Sequence, residues 1–254
     1  MEQLGLRTLT PPTLLAAALA GDPTRPLLTY YDDAAGARVE LSVATFANWV
    51  AKTANLLVHG LDRGPGDRAA LLLPLHWQTA VVAMACWSVG LSVRHEGAAE
   101  VALAAADRLP EARSTGAAEV VAVGLRPLGG PLGDVPIGIT DYGAEVLGYG
   151  DSFSPSVPVD PAAPALERHS GAQLVDAARA AALRWGLGPG DRVLSVLPYD
   201  TVDGWLAGLL APLVAGAGVV LCRHLDIGGL AHKVATERVT ATAGIDVEGV
   251  RRLL

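Results

Sequence analysis

The pentapeptide Gly64-Pro65-Gly66-Asp67-Arg68 recurs as Gly188-Pro189-Gly190-Asp191-Arg192. After each copy comes an apolar run, Ala69–Leu73 or Val193–Leu197. A proline closes each run, Pro74 or Pro198, at the same distance from its aspartate. Proline fixes φ at one turn position and the next glycine supplies a positive φ, so each pentapeptide predicts a tight turn. An apolar run without alternation, bounded by proline, predicts a strand covered on both faces. Helical spacing then resumes in both copies, over Thr79–Val89 up to Gly90 and from about Val202. An apolar strand is expected at Gly218–Cys222, and both copies arrive at an Arg-His pair, Arg94-His95 and Arg223-His224. Duplicated units of this kind predict an α/β fold: two pseudo-repeated lobes with mainly parallel sheets flanked by helices.

A helix is also expected ahead of each turn. Ser42 can cap one in which Phe46, Val50, Thr53 and Leu57 share a face, with Gly60 as its left-handed end and Leu61 as the apolar contact beyond. Ser170 and Gln173 form a possible capping box for the other, which runs to Trp185. Before Ser42, the β-prone runs Pro26–Tyr31 and Arg38–Leu41 flank Asp-Asp-Ala-Ala-Gly and predict a hairpin. Elsewhere the pattern predicts a helical stretch Glu96–Leu109, a strand Val120–Gly124 and a Gly/Pro-rich loop Gly129–Gly138. A proline-studded surface linker is expected over Ser154–Pro164. The remaining expectations are a helix Leu230–Arg238, a strand Val239–Ala243 and a short terminal helix Val247–Leu254.

The formal charge of -7 argues against non-specific nucleic-acid binding, which needs a basic surface. Lys52 and Lys233 are the only lysines, so a lysine-dependent mechanism has two candidates. The two cysteines, Cys86 and Cys222, lie inside apolar runs and read as buried free thiols of a cytoplasmic protein. No basic region followed by an apolar core opens the chain, so no leader is expected. The apolar stretches are shorter than the ~20 residues a membrane span needs.

Residues Leu41–Gly90 resemble the opening of the adenylate-forming (AMP-binding, acyl-CoA-synthetase-like) enzymes. The likeness lies in Ala54-Asn55-Leu56-Leu57, the Gly64–Arg68 turn and Leu72-Leu73-Pro74. Leu187–Ile245 is similar to a later section of those enzymes, including Glu237-Arg238-Val239-Thr240. The chain also resembles a small actinobacterial family distantly similar to AMP-binding enzymes. The resemblance implies one compact domain: lobe 1 at about 61–153, a linker at about 154–168, and lobe 2 at about 169–254 with residues 1–60 packed against it.

The same resemblance shows what is missing. Adenylation needs a Gly/Ser/Thr-rich loop whose N–H groups cradle phosphate, with a lysine nearby. The matching segment, Pro155–His169, has no glycine, no lysine and four prolines, and it carries Asp160 and Glu167. Where the family has an aromatic residue and a histidine after the second strand, this sequence has Asp200 and Thr201. The sequence given ends at Leu254, ahead of the adenine and ribose motifs and the lid lysine, and neither Lys52 nor Lys233 matches that lysine. The expectation is a degenerate, non-catalytic binding or interaction protein with no cofactor or metal. A protein partner is expected where the family's lid would dock. The alternatives are a residual enzyme using Asp200 or Thr201, or half of a split synthetase holding a nucleotide or acyl ligand between the lobes.

Candidate ligand-binding residues are His76, Trp77, Tyr199, Asp200 and Thr201, just beyond the carboxyl ends of the repeated strands, where open α/β sheets bind ligands. Against this, Asp200 and Asp203 suit a helix cap and a first-turn acid. Gly150-Asp151-Ser152-Phe153 resembles an esterase nucleophile block but lacks a late Asp-x-x-His, and reads as a surface turn. Cys222, His224 and His232 match no common zinc spacing. His59 and His169 fall near helix ends and read as exposed.

Overall fold

Thr10-Pro11-Pro12 starts the first ordered element of the computed structural model, which describes residues 9–254. The opening residues, on which the leader was judged and with which the 1–60 segment begins, lie in part outside the described residues. Proline is tolerated in a first helical turn, and the Thr13 hydroxyl accepts the Thr10 N–H at 2.9 Å. Helix α1 (Pro11–Gly21) follows, an element for which the sequence reading had no expectation.

The expected hairpin is β1 (Pro26–Asp32) and β2 (Ala37–Ser42). Ser42 Oγ accepts the Thr45 N–H at 3.1 Å and caps α2 (Val43–Asn55). The end of that helix differs from expectation. A single π turn, Leu56–Gly60, carries the chain out, and the left-handed residue is Asp62 (φ 52) rather than Gly60. Glycine is needed at 60 for space: a Cβ there would overlap the Tyr149 hydroxyl.

At the first repeated turn Gly66 has φ 93, and the Asp67 carboxylate accepts the Gly64 N–H at 3.0 Å. Strand β3 (Arg68–Leu72) leads to α3 (Trp77–Val89), buried on every side except at Ser88 and ended by Gly90 at φ 92. Then come β4 (Ser92–Arg94) and β5 (Val101–Ala105). The helix expected over Glu96–Leu109 is thus replaced by a strand. Alanine favours helix in isolation, but β5 is buried along its whole length between β3 and a strand still to come, and tertiary pairing overrides the local preference. Helix begins only at α4 (Leu109–Ser114), and β6 (Glu119–Val123), β7 (Thr140–Asp141) and α5 (Tyr142–Glu145) follow.

Inside the expected linker lies a small hairpin, β8 (Pro164–Leu166) and β9 (His169–Ser170). The Ser170–Gln173 box is present at the head of α6 (Gly171–Arg184). The second repeated turn closes with the same aspartate bond, Gly188 N–H to Asp191 at 2.9 Å, yet Gly190 keeps a negative φ. Beyond it run β10 (Arg192–Ser195), α7 (Val202–Trp205), a π turn Leu206–Leu210, α8 (Ala211–Ala215) and β11 (Gly218–Arg223). The chain finishes with α9 (Leu230–Thr236), β12 (Ala241–Ala243) and β13 (Arg251–Arg252). The terminal helix expected over Val247–Leu254 is absent. Arg251 and Arg252 pair in parallel with Ala241 and Thr242 instead, extending the sheet by one strand.

Two sheets result, ordered β13-β12-β10-β11-β1-β2 and β7-β6-β5-β3-β4-β8-β9. The runs β4-β3-β5-β6 and β11-β10-β12-β13 share one order and are parallel throughout. Each repeat's hairpin sits on the other repeat: β1 lies parallel to β11, and β8 lies parallel to β4. Helix α3 touches β1 of one sheet and β3 and β4 of the other, so the buried helices form a layer between the sheets. Helix α9 packs its Leu230 on the outer face of the first sheet, and α4 packs Ala112 on that of the second. The layers run helix, sheet, helix, sheet, helix.

Candidate functional site

Between the two sheets, at the carboxyl ends of β1, β3 and β11, the fold gathers Tyr30, Asp32, His76, Arg223 and His224. Asp32 closes β1 and is nearly buried. It accepts the N–H groups of Ala34 and Ala35 at 3.2 and 3.3 Å, and pairs with His224 Nδ1 at 2.9 Å. The Tyr30 hydroxyl donates to it at 3.4 Å, and the Arg223 guanidinium stands 3.8 Å away. Burial pushes the Asp32 carboxyl up, but the bond from His224, its charge and those of the backbone and Arg223 outweigh burial, holding it below the usual carboxylate range. His224 takes φ 49, a left-handed conformation that costs a non-glycine residue strain, and its ring is half exposed.

His76 enters this cluster from the other lobe. Its ring lies edge-on to Tyr30, with centroids 4.4 Å apart, and Nδ1 accepts the Gln78 N–H at 3.1 Å as the cap of α3. Burial lowers its pKa to about 3, with Arg223 acting in the same direction and Asp32 against it. The imidazole is therefore neutral at physiological pH.

The same arrangement occurs at the other sheet. Glu167, just past β8, accepts from His95 (N–H at 2.9 Å, Nδ1 at 3.1 Å), and Arg94 stands 3.8 Å away. The Arg-His pair repeated in the sequence thus pairs each time with a carboxylate borne on or beside the parallel strand of the exchanged hairpin. These ion pairs tie each hairpin to its host sheet.

The five sequence-derived candidates do not form one constellation. Trp77 is buried, edge-on to Trp49 at 5.2 Å. Tyr199 is buried, stacked on Trp205 at 4.0 Å, and donates to the Gly208 carbonyl at 2.9 Å. Trp205 in turn lies edge-on to Trp87, so these three rings fill space between the sheets. Asp200 and Thr201 are exposed. The cap of α7 is Thr201, whose hydroxyl accepts the Gly204 N–H at 3.1 Å, and not Asp200; Asp203 sits in the first turn. Of the five, His76 alone joins the inter-lobe cluster. Asp32 and Tyr30 escaped the sequence reading, because their partners lie about two hundred residues away and the repeated Arg-His pair was the only trace.

Residues 155–169 are tied up internally. Ala162 and Ala163 direct their N–H groups to the Asp160 carboxylate and carbonyl, Glu167 donates to Val93, and Pro155, Pro158, Pro161 and Pro164 have none to offer. Two open grooves lie elsewhere. One of about 560 Å³ runs between α1, α2 and residues 151–159 and is mostly apolar. The other, of about 430 Å³, lies beside Tyr31, Arg38 and Lys233, where Lys233 pairs with Asp33 at 2.6 Å. None of the five candidates lines either.

The remaining features have structural assignments. Cys86 and Cys222 are buried free thiols, each pushed up to about 12 by burial. The Asn55 side chain pins the Gly150–Phe153 turn by donating to the Gly150 and Ser152 carbonyls. Glu237 accepts from Tyr31, Arg38 and Arg192, which places the Glu-Arg-Val-Thr element at a buried charge hub. His59 and His169 are exposed. Among the described residues no group of three His, Cys, Asp or Glu side chains gathers as a metal site, and no helix is long and apolar enough to cross a membrane.

No family model matches the chain. A TIGR03089 family protein of Mycobacterium tuberculosis is 42% identical over 243 residues, spanning 91% of this chain and 99% of that protein. Among solved structures, the anthranilate CoA ligase AuaEII in complex with anthranoyl-AMP superposes with TM-score 0.77 at 13% identity, covering 93% of this chain and 49% of that one. An acyl-CoA synthetase of Brucella canis gives 0.76 at 16% identity, with 93% and 47% covered. Apo MatB of Rhodopseudomonas palustris gives 0.70 at 16% identity, with 93% and 50% covered. The chain spans about half the length of these structures and has the fold of the N-terminal part of acyl-CoA synthetases.

Proposed function

The chain belongs to the TIGR03089 family, and from its fold and its altered loop we infer a degenerate adenylate-forming-like domain that works as a non-catalytic binding or interaction protein. The observation that carries this reading is the state of residues 155–169. Transition-state stabilisation at a phosphate needs donors aimed at the developing charge. Here the segment's N–H groups are spent on its own carbonyl and carboxylate groups or removed by proline, and Asp160 and Glu167 add negative charge. The stack of Tyr199, Trp205 and Trp87 supports the same reading, since it fills with side chains a region where a ligand would need room. We place the protein in the cytoplasm, with a protein partner on the surface where a synthetase lid would dock.

The test is release of pyrophosphate from ATP by the purified protein, offered a panel of aliphatic and aromatic carboxylic acids with and without CoA. The reading expects no release above the protein-free rate. Turnover that depends on a particular acid would replace it with a residual synthetase.

A further inference from the structure

Among the described residues, seven buried side-chain nitrogen and oxygen atoms lack a hydrogen-bond partner, and four of them fall on three consecutive residues. They are His76 Nε2, Trp77 Nε1, and Gln78 Nε2 and Oε1. All three side chains are 1% exposed or less. Polar atoms this deep are almost always paired, with protein or with ordered water. The helix gives Gln78 no route to solvent, because α3 is surrounded by both sheets and by α2.

Walls and a roof surround these atoms. Trp49 and Trp77 meet edge-on, and Gly129, in the loop after β6, passes directly over them at φ 68. A Cβ at Gly129 would stand 3.1 Å from Trp49 and 3.4 Å from both Trp77 and the Gln78 amide nitrogen. Any occupant must accept from two nitrogens, donate to Gln78 Oε1 and be very small. It must also be neutral, since no charged side chain contacts the Gln78 amide. Water meets all of these demands.

We propose that the head of α3 encloses ordered water, held by the Gln78 amide and the Trp77 indole beneath the Gly129 loop. The guest is part of the packing between the lobes and lies apart from the Asp32–His224 pair.

The experiment is a water-selective NOE measurement on the full-length ¹⁵N-labelled protein. The Trp77 indole and Gln78 amide protons should show cross-peaks to water with the sign of long-lived contacts. The Trp87 indole, which donates to the Ala165 carbonyl at 2.8 Å, should show none. Silence at both Trp77 and Gln78 would overturn the proposal. A second reading comes from Gln78→Leu. With water present, its thermal midpoint falls below that of the parent, because the remaining partners lose their guest. A midpoint that rises would mean the amide had been dry and the site empty.

Discussion

Lowering the pH from 7.5 to 5 should destabilise this protein through His76. The imidazole is fully buried, and its pKa is lowered to about 3 by burial. In the unfolded chain a histidine titrates near ~6.5. Below that value the unfolded state takes up a proton that the folded state refuses, so stability conferred by the neutral ring is complete above pH ~6.5 and is lost as pH falls toward about 3. One proton corresponds to about 1.4 kcal/mol per pH unit, which gives a loss of about 2 kcal/mol at pH 5. The assay is urea unfolding at pH 7.5, 6.5, 5.5 and 5, for the parent and for His76→Asn. Asparagine keeps a side-chain acceptor for the Gln78 N–H and removes the titration. Other histidines and carboxylates contribute equally to both proteins, so the difference in slope belongs to His76. Equal slopes in the two proteins would refute the reasoning.

Glu237→Ala should cost about 3 kcal/mol, the low end for breaking a buried pair because Arg38 stays half exposed; chemical denaturation at pH 7 reads it. The Glu237 carboxyl is pushed up by burial but held below its ordinary value by bonds from Tyr31 and Arg38 and by the charges of Arg192 and Arg38, so its contribution is present above the ordinary carboxylate range and fades as pH falls through its lowered pKa. Gly204→Ala should be worse, because a Cβ there would overlap the Pro198 carbonyl; a fall in thermal midpoint reflecting at least about 3 kcal/mol, or failure to accumulate folded protein, is expected. Tyr199→Phe should leave the Gly208 carbonyl without its partner and lower stability by about 1–3 kcal/mol, with the stack on Trp205 kept.

What the sequence disclosed was local. The two Gly-Pro-Gly-Asp-Arg turns, the Ser42 cap and the Ser170–Gln173 box depend on residues within a few positions of one another, and all are present. Strand β5 was hidden because an alanine-rich run becomes a strand only when neighbours cover both of its faces. Strand β13 was hidden for a related reason, since its two arginines pair only because β12 presents an open edge. Four prolines masked the β8–β9 hairpin, which is short enough to fit beside them. The inter-lobe cluster was half legible. Its Arg-His pair stood out by repetition, whereas Asp32 becomes significant only once β1 lies beside β11.

The account rests on the claim that residues 155–169 have lost the capacity to hold phosphate. Calorimetric titration of the purified protein with ATP, AMP and CoA, with a thermal-shift scan alongside, tests it most directly. A ligand present at about 100 times its Kd would add about 2.7 kcal/mol of apparent stability, well within reach of either method. The account predicts no saturable heat and no rise in midpoint with any of the three. Saturable binding of ATP or AMP would contradict it, and would mean that phosphate is held by groups other than this segment.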